Sequence, residues 1–237
     1  MVEPLYVEDP YLKEFEAKVT SADGKFIVLD RTAFYPNAGG QPNDTGKLVR
    51  ASDDKEFSVV YVAKVGDKIS HEISEPGLEE GDQVKGYIDW ERRHLLMRMH
   101  TAAHLLSRVI YDDTGATTSG NQLGTDRSRI DFTLQDFDKE KAKAWVEMAN
   151  KKIADIPVKR SYMDREETEK IDGFAAPSPH LKQEMETLRV IDIEGIDIQP
   201  CGGTHLDNLN EIGKIEFVKA ENKGKGNRRI YYAVSDL

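Results

Sequence analysis

Two pairs of ligand-type side chains, His100 with His104 and Cys201 with His205, constrain this chain more than any other feature. The first pair lies in Trp90–Tyr111, WERRHLLMRMHTAAHLLSRVIY, where Leu96, Met99, Ala103, Leu106 and Ile110 recur at three- and four-residue steps. That period predicts an amphipathic helix, with Asp89 as N-cap and Gly115 as its stop. At a spacing of four, both imidazoles leave the helix on one side and can converge on one ion. The second pair, in Cys201-Gly-Gly-Thr-His205, repeats the spacing with the only cysteine in the chain. Four such residues suit a tetrahedral zinc site, so the fold must bring a distant turn back onto the helix.

The competing reading is a set of buried core histidines. With six histidines present, some pair falls four apart by chance with a probability of roughly 0.15, so that pair alone is a weak signal. The lone cysteine preceding another histidine by four as well lowers the joint chance to roughly one in a few hundred. HTAAH lacks the glutamate of the HExxH helix, which removes the built-in general base of a metallopeptidase. Four protein ligands would close the ion and make it structural, whereas three would leave a position for water or substrate; the sequence permits both. Gly202 and Gly203 beside a ligand allow close backbone approach, and residues 117–122 offer a wall of hydroxyls and amides suited to a small polar ligand.

A single cysteine excludes an internal disulfide and points to a reducing cytoplasm. No apolar run reaches membrane-spanning length, and the N-terminus MVEPLYVEDPYLKEFEAK lacks a signal-peptide core. The net charge of −10 does not advertise a nucleic-acid partner. It is unevenly spread, however. The last 24 residues carry six basic against three acidic side chains, so a polyanion is expected to dock near the C-terminal end.

Residues 1–88 read as short strands, FEAKVTS, KFIVLD, GKLVRA, EFSVVYVAKV, KISHEI and QVKGYID, which suggests a small antiparallel barrel or sandwich. Between the second and third lies a glycine- and proline-rich loop, Thr32 to Gly46, long for a barrel connection and expected to carry function. Alternation gives way to helical period near Asp89, so residues 89–237 form a second domain. There RIDFTL reads as a strand and TGATTSGNQLGTDRS as a polar connection. Asp136 or Asp138 caps a second helix bearing Ala142, Trp145, Val146, Ala149 and Ile153 on one face. VKRSYM and LRVIDIEG suit strands, and DREETEKID an exposed short helix or loop. KIEFVKA and RRIYYAV form a closing hairpin. The expected class is α+β: a barrel, then an α+β domain with an antiparallel sheet and helices packed on one face.

HTAAH with CGGTH, the FYPNAGGQPNDTG segment, and RRIYYAV together resemble the free-standing alanyl-tRNA editing proteins and the matching region of alanyl-tRNA synthetase. More distantly, the ligand pairs resemble the editing domain of threonyl-tRNA synthetase. The resemblance covers nearly the whole chain and is strongest to the medium-length members. It implies a translation-factor-like barrel before the catalytic domain. It also implies one zinc ion per chain on His100, His104, Cys201 and His205, and hydrolysis of Ser-tRNA(Ala), with acceptance of Gly-tRNA(Ala) left open. Gly39, Gly40 and Gln41 match the family's glycine-rich motif, and the position that contacts the aminoacyl end matches Thr118 or Asn121. Some synthetase relatives carry a threonine where this chain has Ala103.

Such an enzyme must remove serine while sparing alanine, which is smaller, so size alone cannot discriminate. A pocket whose buried polar groups need a hydroxyl partner can reject the analogue lacking it by about 10⁴. Thr118 or Asn121, with Gln41, is expected to meet the seryl hydroxyl. Lys219, Lys223, Lys225, Arg228 and Arg229 on the closing hairpin are expected to meet acceptor-stem phosphates. The expected partner is therefore mischarged tRNA(Ala), with neither membrane nor DNA, and oligomeric state undetermined. The alternative function is a non-catalytic RNA-binding module in which zinc only holds the fold.

Overall fold

The computed structural model of the 237-residue chain describes residues 2–135, 138–173, 186–224 and 226–236. These form two compact units, Met1–Leu95 and Leu96–Leu237. In the first, strands β1 (Glu14–Asp23), β2 (Phe26–Leu29), β3 (Gly46–Arg50), β4 (Glu56–Val65), β5 (Lys68–Ile73) and β6 (Gln83–Ile88) close an antiparallel barrel in the order β1-β2-β5-β4-β3-β6. Alternation along each strand decides what fills it. Phe15, Ala17 and Val19 of β1 point inward with Ile27, Leu29, Leu48, Phe57, Val59, Ile69 and Ile73, while the intervening positions face out.

One inward position carries a histidine. His71 is fully buried, with Nδ1 3.1 Å from the carbonyl oxygen of Ile27 and Nε2 2.8 Å from the hydroxyl of Thr32. A carbonyl only accepts, so Nδ1 carries the proton and Nε2 accepts from Thr32, whose oxygen in turn takes the Phe34 N–H. Burial lowers the pKa of this imidazole to about 4.

The long loop is fastened from within the same unit. Arg93 and Asp44 are both fully buried and form a forked ion pair. The guanidinium also donates to the carbonyl oxygens of Pro10 (2.8 Å) and Ala33 (2.6 Å), and Asp44 accepts from Tyr35 N at 2.6 Å. Ala38 and Gln41 exchange backbone hydrogen bonds across Gly39 (φ +60°) and Gly40 (φ +81°). Positive φ at both central positions of such a turn is the reason for two glycines. The segment with most glycine and proline is thus a built element rather than a slack connection.

Helix α1 (Trp90–Thr114) begins at the expected cap, Asp89 accepting from Arg92 N at 3.2 Å, and stops at Gly115, φ +69°. The anticipated stripe is buried, and so are Met97, Ala102, Leu105 and Val109; the helix is enclosed on more than one side. Strands β7 (Thr118–Gln122), β8 (Ser128–Thr133), β12 (Lys214–Asn222) and β13 (Asn227–Ser235) make a four-stranded antiparallel sheet, β12-β13-β8-β7. Strands β9 (Val158–Asp164), β10 (Thr187–Ile193) and β11 (Asp197–Pro200) make a three-stranded one. The antiparallel pairing of this unit is therefore divided between two sheets. Tyr232 of β13 donates to the Met99 carbonyl of α1 at 2.7 Å. Helix α2 (Lys139–Lys152) is capped by Asp138 and joined to β12 through paired Asn150–Ile215 bonds. The alternative cap, Asp136, lies outside the described residues. DREETEKID contributes one short helix, α3 (Arg165–Thr168).

Residues 118–122, read from sequence as a connection, form strand β7. Polar TSGNQ has no apolar alternation to announce it; its order comes from pairing with β8 at the sheet edge.

Two outcomes are expected. Stability has its full His71 contribution above pH 6.5, where both states are neutral, and loses about 3 kcal/mol as pH falls toward 4, because only the unfolded chain takes up the proton. Urea titrations at several pH values should show this component in the parent and not in His71→Gln; equal pH slopes would contradict it. Arg93→Met, which leaves Asp44 charged and buried, should cost about 3–5 kcal/mol, with part recovered by adding Asp44→Asn.

Candidate metal centre

The four ligand-type residues meet. Their donor atoms all lie within 4.8 Å of one another. Cys201 Sγ is 3.5 Å from His100 Nε2 and 3.3 Å from His205 Nε2. The imidazole centroids stand 4.2 Å (His100–His205), 4.7 Å (His104–His205) and 5.5 Å (His100–His104) apart. Helix α1 presents two of them one turn apart, and β11 delivers Cys201 as the first residue beyond its end.

Neighbouring groups hold this arrangement. His205 turns Nε2 to the thiol and Nδ1 to the Thr101 hydroxyl at 3.2 Å, and the same hydroxyl accepts from Leu206 N at 3.2 Å. That is how a ligating imidazole is oriented, with its outer nitrogen in a hydrogen bond. Arg189 of β10 donates to the carbonyl oxygens of Cys201 (2.6 Å) and Gly203 (3.0 Å), clamping the CGGTH turn. The Gly203 N–H lies 3.4 Å from Sγ. Asp197, buried at the start of β11, places Oδ2 3.4 Å from His104 Nδ1, within electrostatic reach though not aligned as a hydrogen bond. Thr101, Arg189 and Asp197 did not stand out in the sequence. Thr101 sits inside the HTAAH motif, and Arg189 and Asp192 interrupt an apolar strand, but neither signal reveals a contact with a turn far along the chain.

The electrostatics favour a thiolate. Burial opposes ionisation of Cys201, yet electrostatic attraction to the neighbouring His100 and His205 imidazoles holds its pKa well below the ordinary thiol value. Burial likewise opposes protonation of His104, but Asp197 and Cys201 push its pKa up to about 10. Burial and the like charge of His100 hold His205 well below the ordinary histidine value. One negative sulfur among imidazoles is an arrangement that can hold a metal ion.

The remaining site residues divide into groups. Thr118 and Asn121 stand opposite Phe132 and Ile130 on β8, and a bulge between them puts residues three apart on the same inward face. Thr118 donates to Ser107 at 3.1 Å. Ser107 is seven residues beyond His100 and three beyond His104, so it continues the ligand face of α1. The sheet edge and the helix bearing His100 and His104 are thereby joined through hydroxyls. Gly202 is exposed, and an added Cβ would meet no atom within 4 Å, so packing does not require glycine there. Gln41 is buried in the first unit, on the turn described above.

On the closing hairpin, Arg228 donates to the carbonyl oxygens of Gly224, Asn227 and Gln135, which occupies it in fixing the turn. Arg229 forks onto Asp131 at 2.6 and 2.9 Å. Lys219 lies 2.5 Å and Lys223 3.9 Å from Glu221 carboxylate oxygens. Lys225 lies outside the described residues.

No helix among the described residues is long and apolar enough to cross a membrane. Residues 188–231 match the family described as the threonyl and alanyl tRNA synthetase second additional domain, and residues 7–92 match tRNA synthetases class II (A). The chain is 49% identical to the alanyl-tRNA editing protein AlaX-M of Methanosarcina barkeri, over 100% of both chains. It is 38% identical to the AlaX-M of Saccharolobus solfataricus, over 99% of each. It is also 39% identical to the alanine–tRNA ligase of Pyrococcus abyssi, over 98% of this chain and 26% of the ligase. A full-length likeness at this identity, with both ligand pairs converging, establishes that the chain belongs to the alanyl-tRNA editing proteins of the AlaX-M type.

Proposed function

We propose that this protein is a zinc-dependent hydrolase that acts in trans on tRNA(Ala) mischarged with serine, sparing Ala-tRNA(Ala). The observation that carries the reading is the meeting of His100, His104, Cys201 and His205 within 4.8 Å, beside an edge strand whose hydroxyl reaches their helix. The donors fit zinc. Three imidazoles and a thiolate are its usual ligands, and a tetrahedral zinc separates nitrogen from sulfur by about 3.5 Å, against 3.3 and 3.5 Å here. When bound, zinc would supply a fixed positive charge and Lewis acidity toward the aminoacyl ester.

The chain's own residues account for selectivity. Thr118 gives its proton to Ser107, which leaves its oxygen an acceptor, and the amide of Asn121 adds donors and an acceptor on the same face. A seryl hydroxyl satisfies such groups; an alanyl methyl leaves them unpaired, at a cost of about 1–3 kcal/mol for each. Gln41 joins this assignment on the family pattern alone. The single free cysteine and the proposed substrate class support a cytoplasmic setting.

The purified chain should deacylate Ser-tRNA(Ala) and leave Ala-tRNA(Ala) intact; the rate on Gly-tRNA(Ala) shows how far the hydroxyl is required. Thr118→Val and Asn121→Ala should each slow serine removal by about 10–100-fold with metal content unchanged. Parent rates in both variants would remove the pocket assignment. Binding of tRNA without any deacylation would favour the RNA-binding module.

A further inference from the structure

The outer face of the four-stranded sheet, opposite the face bearing Thr118 and Asn121, has a use that the catalytic reading does not assign. Register places its residues in two cross-strand rows: Gln122, Arg129, Tyr231 and Lys219 in one, Gly120, Asp131, Arg229 and Glu221 in the other. Beside them lies a cavity of about 410 Å³, whose lining includes Gln122, Arg127, Arg129, Arg229 and Tyr231. Such a volume is in the range of small-ligand sites, roughly 300–1,000 Å³.

Three arginines meet there in a chain that is acidic overall. Asp131 organises two of them, accepting from Arg229 through both oxygens and from Arg129 at 2.6 Å. One carboxylate thus holds two guanidiniums in place without cancelling both. Arg127 is exposed and rests on the Tyr231 ring, 5.3 Å from its centroid. Lys219 and Arg229 approach the same ring at 4.5 and 5.9 Å. The result is a pre-ordered, net-positive concavity with guanidinium donors facing an aromatic platform. Its position is also informative. Gln122 lines it on the outer face, and Asn121, its chain neighbour, faces inward from the same edge strand.

We propose that this pocket takes a backbone phosphate of the RNA substrate as the strand crosses the sheet edge toward the inner face. The proposal rests on the editing reading and refines it: contact moves from the hairpin tip, where Arg228 is committed to carbonyls, to the Arg127 pocket. Guanidinium forks match phosphate oxygens in geometry, and such contacts position RNA without reading its sequence.

The test is binding of deacylated tRNA(Ala), which needs no catalysis, measured by fluorescence anisotropy across a salt series. Arg127→Gln and, independently, Arg129→Gln should each weaken affinity about tenfold and lower the salt slope by about one. Lys139→Gln, an equal loss of charge at an exposed helix start, should stay within about twofold of the parent. Affinities and slopes equal to the parent in both arginine variants, or an equal loss in the Lys139 control, would overturn the proposal. A titration with AMP separates the sources of phosphate: AMP binding that depends on Arg127 while tRNA affinity does not would also overturn it. Deacylation of Ser-tRNA(Ala), assayed separately, tests the parent reading, so either can fail while the other stands.

Discussion

The contact between one thiol and imidazoles from a distant helix organises the C-terminal unit. Bringing Cys201 to 3.5 Å from His100 and His205 to 3.3 Å from Cys201 requires β11 to end beside α1, and that determines where the three-stranded sheet lies. Arg189 and Thr101 then do what a flexible glycine turn cannot do alone, fixing carbonyls and an imidazole from either side. Burying His100 and His205, with His104 and Cys201 half-buried beside them, is unfavourable unless something of opposite charge or matching hydrogen bonds meets them. Within the chain, that need is met by neighbours aimed at the ligands' outer atoms, and a cation at the centre would meet the remainder.

The fastening of the N-terminal loop follows the same physical rule. Arg93 and Asp44 are fully buried, a costly state that persists because the guanidinium also satisfies two carbonyls and the carboxylate a backbone N–H. Loop residues 33–45 are thereby held in one shape. Gly39 and Gly40, read from sequence as motif residues, have a local reason to be glycine in the turn they form. That reason is compatible with a role for Gln41 and does not depend on it.

Much of this was legible in the residues. Six alternating segments gave the barrel, and the three- and four-residue apolar period with Asp89 and Gly115 gave α1 almost to its ends. The paired spacings named the four residues that meet. Less legible were features set by tertiary pairing. Strand β7 has no apolar residue, and the bulge that puts Thr118 and Asn121 on one face arises only against β8. The apolar surroundings of Arg189 gave no hint that it reaches the CGGTH turn. The basic hairpin looked like a free cationic surface because composition counts charges without partners; Asp131, Glu221 and the turn carbonyls engage several of them. What remains net positive is concentrated around Arg127, which a count of the last residues did not include.

The central claim is that one cation joins two chain segments in a working site. Its most direct measurement is the zinc content of the purified chain beside that of Cys201→Ser and His104→Ala, with circular dichroism taken on the same samples. The expected result is about one zinc per parent chain, clearly less in both variants, with the barrel signal retained. A folded parent with no bound metal after purification in zinc-supplemented medium, or undiminished zinc in both variants, would contradict the account.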